Sequence, residues 1–339
     1  MATVLDVARE AGVSPATVSR VINSSMLVSD EKKQLVYAAM EKVGYVIPIK
    51  DRPSRAGNGK LMLAITNISR YSLFEGMQLA AGEMGYGFVI LQTSEVQPEY
   101  AEAISTLKLL HSGGQLAGIM LVNYNASVQS ADLEQAIRNF PVVSVCEPLK
   151  GTSLVTSDDY QAAYDVTEHL ISLGCRKIAF FVTRSPENRA NFELQRIRGY
   201  RSALIEHGIV PVEELVYYSD FVPEGGYDTM RRLIKDGDLP DAIVCLGDVM
   251  AYGCMRALRE HGISIPDDIA VVGMDDERES EYMAPPLTSV RQNFEEIGRE
   301  AVRLLHKHIT DSAAAPCKIF VPHTLVIRES SGGKQEEIG

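Results

Sequence analysis

The sequence has no tryptophan, only five cysteines, and fewer basic than acidic side chains: 33 Lys and Arg against 45 Asp and Glu, a formal net charge of −12 over 339 residues. The missing tryptophan excludes nothing. The cysteines (Cys146, Cys175, Cys245, Cys254 and Cys317) are odd in number, scattered and never in a CxxC spacing. That argues against a disulfide scaffold or a zinc site and for a reducing compartment. No apolar run approaches the roughly 18–20 residues that a membrane span needs, and the opening MATVLDVAREAGV has no basic leader, apolar stretch or cleavage site of a secretory signal. A cytoplasmic, nucleoid-associated protein is expected, with no membrane partner. Catalytic signatures are also missing. There is no GxSxG elbow and no HExxH pair, and His306 and His308 do not share a helix face. Asp158-Asp159 and Asp275-Asp276 are adjacent carboxylates, whose side chains usually diverge. Gly57-Asn58-Gly59-Lys60 has Leu61 and Ser54 where a phosphate loop needs Ser or Thr and Gly. No enzyme, cofactor or metal is expected.

A deficit of positive charge ordinarily argues against nucleic acid as a partner, but here the charge is divided. Residues 1–60 carry nine basic side chains against six acidic ones, a net of +3, which leaves −15 on the remaining 279 residues. A basic head precedes an acidic body, and each has to be read separately.

In the head, Thr3 caps a helix whose apolar residues Val4, Val7, Ala8 and Ala11 form one stripe. Gly12 breaks it, and Val13 tucks inward. Ser14 caps a second helix with Pro15 at its first position, where the missing N–H costs nothing. Its inner face is Val18, Val21 and Ile22, and its outer face Ala16, Ser19, Arg20 and Asn23. Ser29 caps a third helix with core positions Val36, Ala39, Met40 and Val43, ended by Gly44. This is helix-turn-helix spacing. Spacing alone leaves two readings open, a DNA reader and a small helical bundle with an incidental basic tilt.

The run TVLDVAREAGVSPATVSRVIN (3–23) resembles the signature that opens the LacI/GalR family of bacterial repressors, and the stretch from Ser29 to Val43-Gly44-Tyr45 resembles that family's third helix. The resemblance implies that the second helix enters the major groove with Pro15, Ala16 and Arg20 at the base-reading positions. A guanidinium such as that of Arg20 can donate two hydrogen bonds to guanine O6 and N7, while Pro15 and Ala16 offer apolar contact. Thr3, Ser14, Thr17, Ser19, Asn23 and Ser29 are short donors suited to phosphates, which fix register without specifying sequence. For Ser14 and Ser29, plain helix capping is the alternative.

The following VIPIKDRPSRAGNGK (46–60) reads as a linker. In the family this stretch forms a hinge helix whose leucine wedges into the minor groove. Here that position falls on Ser54 or Arg55, after Pro53, so a weakened or absent hinge helix and a less kinked operator are expected. Lys50, Arg52 and Arg55 either follow the DNA backbone or belong to a solvated tether.

From Leu61 onward, apolar runs alternate with helical patterns: 61–66, 87–91, 118–122 and 142–146, then 177–182, 215–219, 242–246 and 269–275. Strands separated by helices imply βαβ units and parallel sheets, and two such series imply two α/β lobes with a ligand cleft beyond the strand ends. This body resembles the family's effector core, which is similar to periplasmic sugar-binding proteins. The resemblance places Arg196 as the effector clamp, Asp275 as an acceptor of sugar hydroxyls, Phe221 as an aromatic lid and Asp159 in the cleft wall. Each has an ordinary alternative: Arg196 bridging a structural carboxylate, Asp275 capping a helix, Phe221 in the core. The sequence departs from the family at Cys146, where aspartate is common, at Gly247, where asparagine is frequent, and in a shortened loop at 66–74. Asn67, Ser69, Arg70, Tyr71, Asn123 and Tyr124 are the residues available to compensate.

The expected organisation is a helix-turn-helix domain (1–46), a linker (47–60), a core (61–330) and a polar tail (331–339). Within the core, one lobe takes about 61–158 and 291–319 and the other about 159–290 and 320–330. The chain passes between lobes near 157–160, 286–292 and 320–324. The expected partners are a pseudo-palindromic operator, a small-molecule effector and a second copy of the chain, since the tail is too short and polar for a tetramerising coiled coil. The rival reading is a sensor or transport-binding protein without DNA-binding function.

Overall fold

The computed structural model describes residues 3–22, 30–43, 45, 59–68, 70–93, 100–124, 130–183 and 190–332, and the side chains at 19, 20, 22, 30, 31 and 41 fall outside the description. The chain divides into two compact units, Met1–Ser54 and Arg55–Gly339.

In the first unit, Thr3 and Asp6 form a reciprocal capping box at the start of α1 (Val4–Ala11). Gly12 ends that helix at φ 62°, a left-handed conformation that costs glycine little. Ser14 starts α2 (Pro15–Ile22) by accepting the Thr17 N–H at 3.1 Å. These helices and α3 (Asp30–Val43) close over Val7, Ala8, Val18, Val21, Val36, Ala39 and Met40, with Val13 packed against the edge. The apolar stripes of the sequence are therefore the core of the head.

The second unit holds two six-stranded sheets. The first sheet has β1 (Leu61–Thr66), β2 (Gly87–Gln92), β3 (Leu116–Val122), β4 (Val142–Val145), β5 (Ser153–Ser157) and β11 (Lys318–Val321), in the order β11-β5-β4-β3-β1-β2. The second has β6 (Ile178–Thr183), β7 (Val216–Ser219), β8 (Ala242–Cys245), β9 (Ala270–Asp275), β10 (Thr288–Gln292) and β12 (His323–Val326), in the order β12-β10-β9-β8-β6-β7. The pairings are parallel except β10 with β12. The chain leaves the first sheet after Ser157, returns after Gln292 and crosses again at Pro322. Strands β5 and β10 carry few apolar residues. Strand β5 and the Thr288–Val290 part of β10 are buried nonetheless because their hydroxyls find partners: Ser153 meets His308 Nε2 at 2.7 Å, and Thr288 Oγ1 donates to the Arg328 carbonyl at 2.9 Å.

Helices cover both sheets. On the first, α4 (Tyr71–Glu83) and α11 (Phe294–Thr310) pack on one face, while α5 (Ala101–Ser112) and α6 (Ala131–Ile137) cover the other. On the second, α7 (Asp159–Ser172) pairs with α8 (Asn191–Glu206), and α9 (Pro223–Asp236) with α10 (Asp248–Glu260). These pairs approach closely at glycines. A Cβ on Gly253 of α10 would lie 1.7 Å from the Pro223 carbonyl oxygen at the start of α9. Gly253→Ala is expected to cost about 1–3 kcal/mol because backbone must move. Gly82→Ala in α4, where nothing lies within 4 Å of the added carbon, should gain about 0.5–1 kcal/mol. Urea unfolding of both variants checks the contrast, and equal midpoints would refute it.

Candidate functional site

The strand ends of the two sheets face one another across a cleft of about 200 Å³, lined by Ile68, Arg70, Asn123, Cys146, Thr156, Asp159, Phe192, Arg196, Phe221, Asp275, Gln292 and Phe294. Arg196, on α8, is buried. Its Nε donates to Asp159 Oδ1 at 2.9 Å and its Nη1 to the Leu246 carbonyl at 2.5 Å, and its Nη2 lies 3.6 Å from Asp275 Oδ1. Phe192 lies 5.1 Å from the guanidinium carbon. The structural alternative for Arg196 is thus observed, and it coexists with a place in the cleft wall. Burial raises the pKa of Asp159, which Arg196 only partly offsets.

Asp275 ends β9 with φ 115°, and Asp276 follows at φ 50°. Two successive non-glycine residues in this region carry strain of the kind concentrated at functional sites. Their surroundings hold them there. Asp276 is gripped by Arg291 at 2.6 Å and Arg328 at 2.7 Å. Asp248 accepts from Ser280 Oγ, Ser289 Oγ and the Glu277 N–H at 2.6, 2.6 and 2.7 Å. Burial pushes the Asp248 carboxyl up to about 7 despite those donors. Asp248 thereby anchors the loop that presents Asp275.

Arg70 precedes α4 and reaches across from the first lobe. Its Nη2 donates to Asp275 Oδ2 at 2.5 Å, its Nη1 pairs with Glu277, and its guanidinium carbon sits 4.5 Å from the centre of the Phe294 ring. Burial opposes the charge on Arg70, but Asp275 and Glu277 outweigh it and raise its pKa. Glu147, beyond β4, makes a second contact between the lobes by accepting the Asn191 and Phe192 N–H groups at 3.0 and 3.1 Å. A carboxylate at a helix N-terminus is well placed. Gln292 completes the cleft. Its Nε2 donates to Asp275 Oδ1 and its Oε1 accepts from Ser157, both at 2.5 Å.

Of the effector residues expected from sequence, Arg196, Asp275, Phe221, Asp159 and Cys146 line the cleft together. Burial pushes the Cys146 thiol up to about 12, so it is an apolar wall and not a nucleophile. Gly247 is explained by Phe221, whose ring would lie 2.6 Å from a Cβ there. Asn67 stands one step back, its Oδ1 accepting from Asn123 Nδ2 at 3.1 Å. Tyr71 and Tyr124 are corrections. Tyr71 is 80% exposed and turns away, because Arg70 takes the inward position at the start of α4. Tyr124 is buried beneath the sheet, its ring 5.6 Å from Tyr100 and its hydroxyl accepting the Ser130 N–H at 2.9 Å. Sequence reasoning missed Phe192, Gln292, Phe294, Glu147 and Glu277. Phe192 lies four residues before Arg196 on α8, and Gln292 and Phe294 lie at and just after the expected crossing 286–292.

In the head, Ser14, Pro15 and Ala16 are exposed at the start of α2, and Thr17 bonds Ser14. Thr3 Oγ1 donates to Asp6 Oδ2 at 2.7 Å. Thr3 and Ser14 are therefore caps whatever else they touch. Asn23, Ser29, Lys50, Arg52, Arg55 and the hinge positions Pro53 and Ser54 lie outside the described residues, as does Ser69, and the same holds for the side chains of Ser19 and Arg20. Among the described residues no helix is long and apolar enough to cross a membrane.

A helix-turn-helix unit and a two-lobed core with a polar cleft, carried on one chain, define a DNA-binding transcriptional regulator with an effector-binding core. The chain belongs to the lacI family of bacterial regulatory proteins, whose description matches residues 3–47, and residues 167–331 match a periplasmic binding protein-like domain. It is 31% identical to the HTH-type transcriptional regulator DegA of Bacillus subtilis over 336 residues, covering 97% of this chain and 98% of that one. It is 30% identical to the HTH-type transcriptional repressor PurR of Mannheimia succiniciproducens, with the same coverage. Among solved structures, a transcriptional regulator CelR–cellobiose complex superposes with a TM-score of 0.69 at 30% identity, over 97% of this chain and all of that one. The Lac repressor dimer bound to operator shares the fold, with a TM-score of 0.70 at 24% identity.

Proposed function

We propose that this protein is a homodimeric repressor whose heads read the half-sites of a pseudo-palindromic operator, and whose operator affinity is set by a sugar or sugar derivative bound between the lobes of the core. Residues 1–46 read DNA, 47–60 connect and 61–330 sense and dimerise, without catalysis, cofactor or membrane attachment, in the cytoplasm. The observation that carries this reading is the cleft in which Arg196, Asp159 and Asp275 converge among Phe192, Phe221 and Phe294. Paired donors and acceptors beside ring faces suit a polyol, and the similarity to a cellobiose-bound regulator points the same way. Effector binding changes the lobe angle and so favours one of two DNA affinities, which requires different ligand affinity in the two states.

In the head, Arg20, Pro15 and Ala16 read bases, while Thr3, Ser14, Thr17, Ser19, Asn23 and Ser29 contact phosphates, supplemented by Lys50, Arg52 and Arg55. Arg20→Ala is expected to cost about 1–3 kcal/mol of operator discrimination. A chain beginning at Lys60 should lose salt-dependent operator binding. Unchanged sequence preference in R20A, or undiminished binding by the shortened chain, sinks the assignment. A thermal-shift screen of sugars, sugar acids and nucleosides identifies the effector.

A further inference from the structure

The polar side chains that line the cleft are already engaged. Asp159 holds Arg196, Arg196 also holds the Leu246 carbonyl, and Gln292 bridges Ser157 and Asp275. Thr156 donates to the Cys146 carbonyl at 3.2 Å, and Asn123 donates to Asn67 at 3.1 Å. A ligand that enters either shares these groups or takes the place of one of them. Arg70 is the group set to yield. It lies on the short segment between β1 and α4 and reaches its partners from the opposite lobe. Asp159 and Arg196, by contrast, belong to α7 and α8 of a single lobe.

The seat of Arg70 is built for a cation. Asp275 Oδ2 and a Glu277 carboxylate oxygen flank the guanidinium on two sides, and the Phe294 ring supports its face. With Arg70 withdrawn, Arg196 alone would face Asp159, Asp275 and Glu277, an excess of two negative charges beside an aromatic ring. A neutral polyol leaves that excess unmet, and an anion makes it worse.

We propose that Arg70 is a tethered ligand of the effector cleft, and that the effector competing with it is a compact cation, a molecule carrying a protonated amine, amidine or guanidine that takes over Asp275, Glu277 and the Phe294 ring. This rests on reading the cleft as the effector site, and it narrows the sugar derivatives to those bearing a basic nitrogen. Removing the effector lets Arg70 return, so the unliganded core is self-occupied and the two occupants exclude one another.

The test refills the seat. Wild type, Arg70→Ala and the double variant Arg70→Ala/Asp275→Asn are titrated with ethylguanidinium chloride at millimolar concentration and constant ionic strength, with ethylurea as the neutral isostere and thermal unfolding as the readout. Arg70→Ala should show a saturable rise in Tm with ethylguanidinium and none with ethylurea. Wild type should show no saturable rise, and Asp275→Asn should abolish the effect. The proposal is overturned if Arg70→Ala responds no more than wild type, if ethylurea serves as well, or if the double variant still responds. Failure of the effector reading looks different. In that case ethylguanidinium occupies the vacated seat, but DNA affinity of Arg70→Ala does not change with its occupancy.

Discussion

Replacing Arg196 with alanine removes the effector response and roughly 3–5 kcal/mol of stability together. The two losses share one cause. The guanidinium is buried against Asp159 and also satisfies the Leu246 carbonyl. Its removal strands a carboxylate that burial already disfavours in the charged form. Asp159→Asn introduced with Arg196→Ala should restore part of the stability, since no unpaired charge then remains, while the response stays lost. A double-mutant cycle in urea, with effector titrations on the same proteins, gives both readings. Wild-type stability in the single variant would mean that the pair contributes nothing to the fold. A retained response would remove Arg196 from the binding surface.

The second large effect concerns pH. Asp248 has its pKa raised from 3.8 to about 7 by burial, so the folded protein prefers it protonated. The unfolded chain ionises it near the ordinary value. Stability from this group is therefore full below about pH 4 and is lost as pH rises toward about 7, by up to about 4 kcal/mol. Asp248→Asn keeps an acceptor oxygen for the surrounding hydroxyls but removes the charge, and should flatten that fall. Asp159 and Glu147 are shifted in the same direction by burial, so some slope remains. Unfolding free energies of wild type and variant from pH 4 to 7 decide it. Parallel curves would mean that Asp248 titrates normally.

Much of this was legible in the sequence, for identifiable reasons. Thr3, Gly12, Ser14 and Pro15 mark helix ends by local chemistry, and the stripes in the head repeat at helical spacing, so the first unit could be read directly. Strands such as β3 and β6 are buried on both faces and stand out as apolar runs. Strands β5, β10 and β12 did not stand out. Serine, threonine and histidine there are partnered through tertiary contacts that no local pattern reveals. The site shows the same limit. Arg196 and Asp275 came from family position. The choice between Arg70 and Tyr71 depended on which of two neighbours points inward at a helix start, and Tyr124 on a turn at Asn123 with φ 52°. Glu147 and Gln292 act through partners far along the chain, at Asn191 and Ser157.

Gln292 has a wider consequence. It is the last residue of a strand at which the chain changes lobes, it bonds the Ser157 hydroxyl at an earlier change, and its other end holds Asp275. On the proposed effector site, the recognition surface and the pivot are one hydrogen bond apart. Such a machine needs no long relay of residues to convert occupancy into motion. Its message has almost no distance to travel inside the core, and the chemistry of recognition can be retuned at the Arg70 loop while the pivot is left as it is.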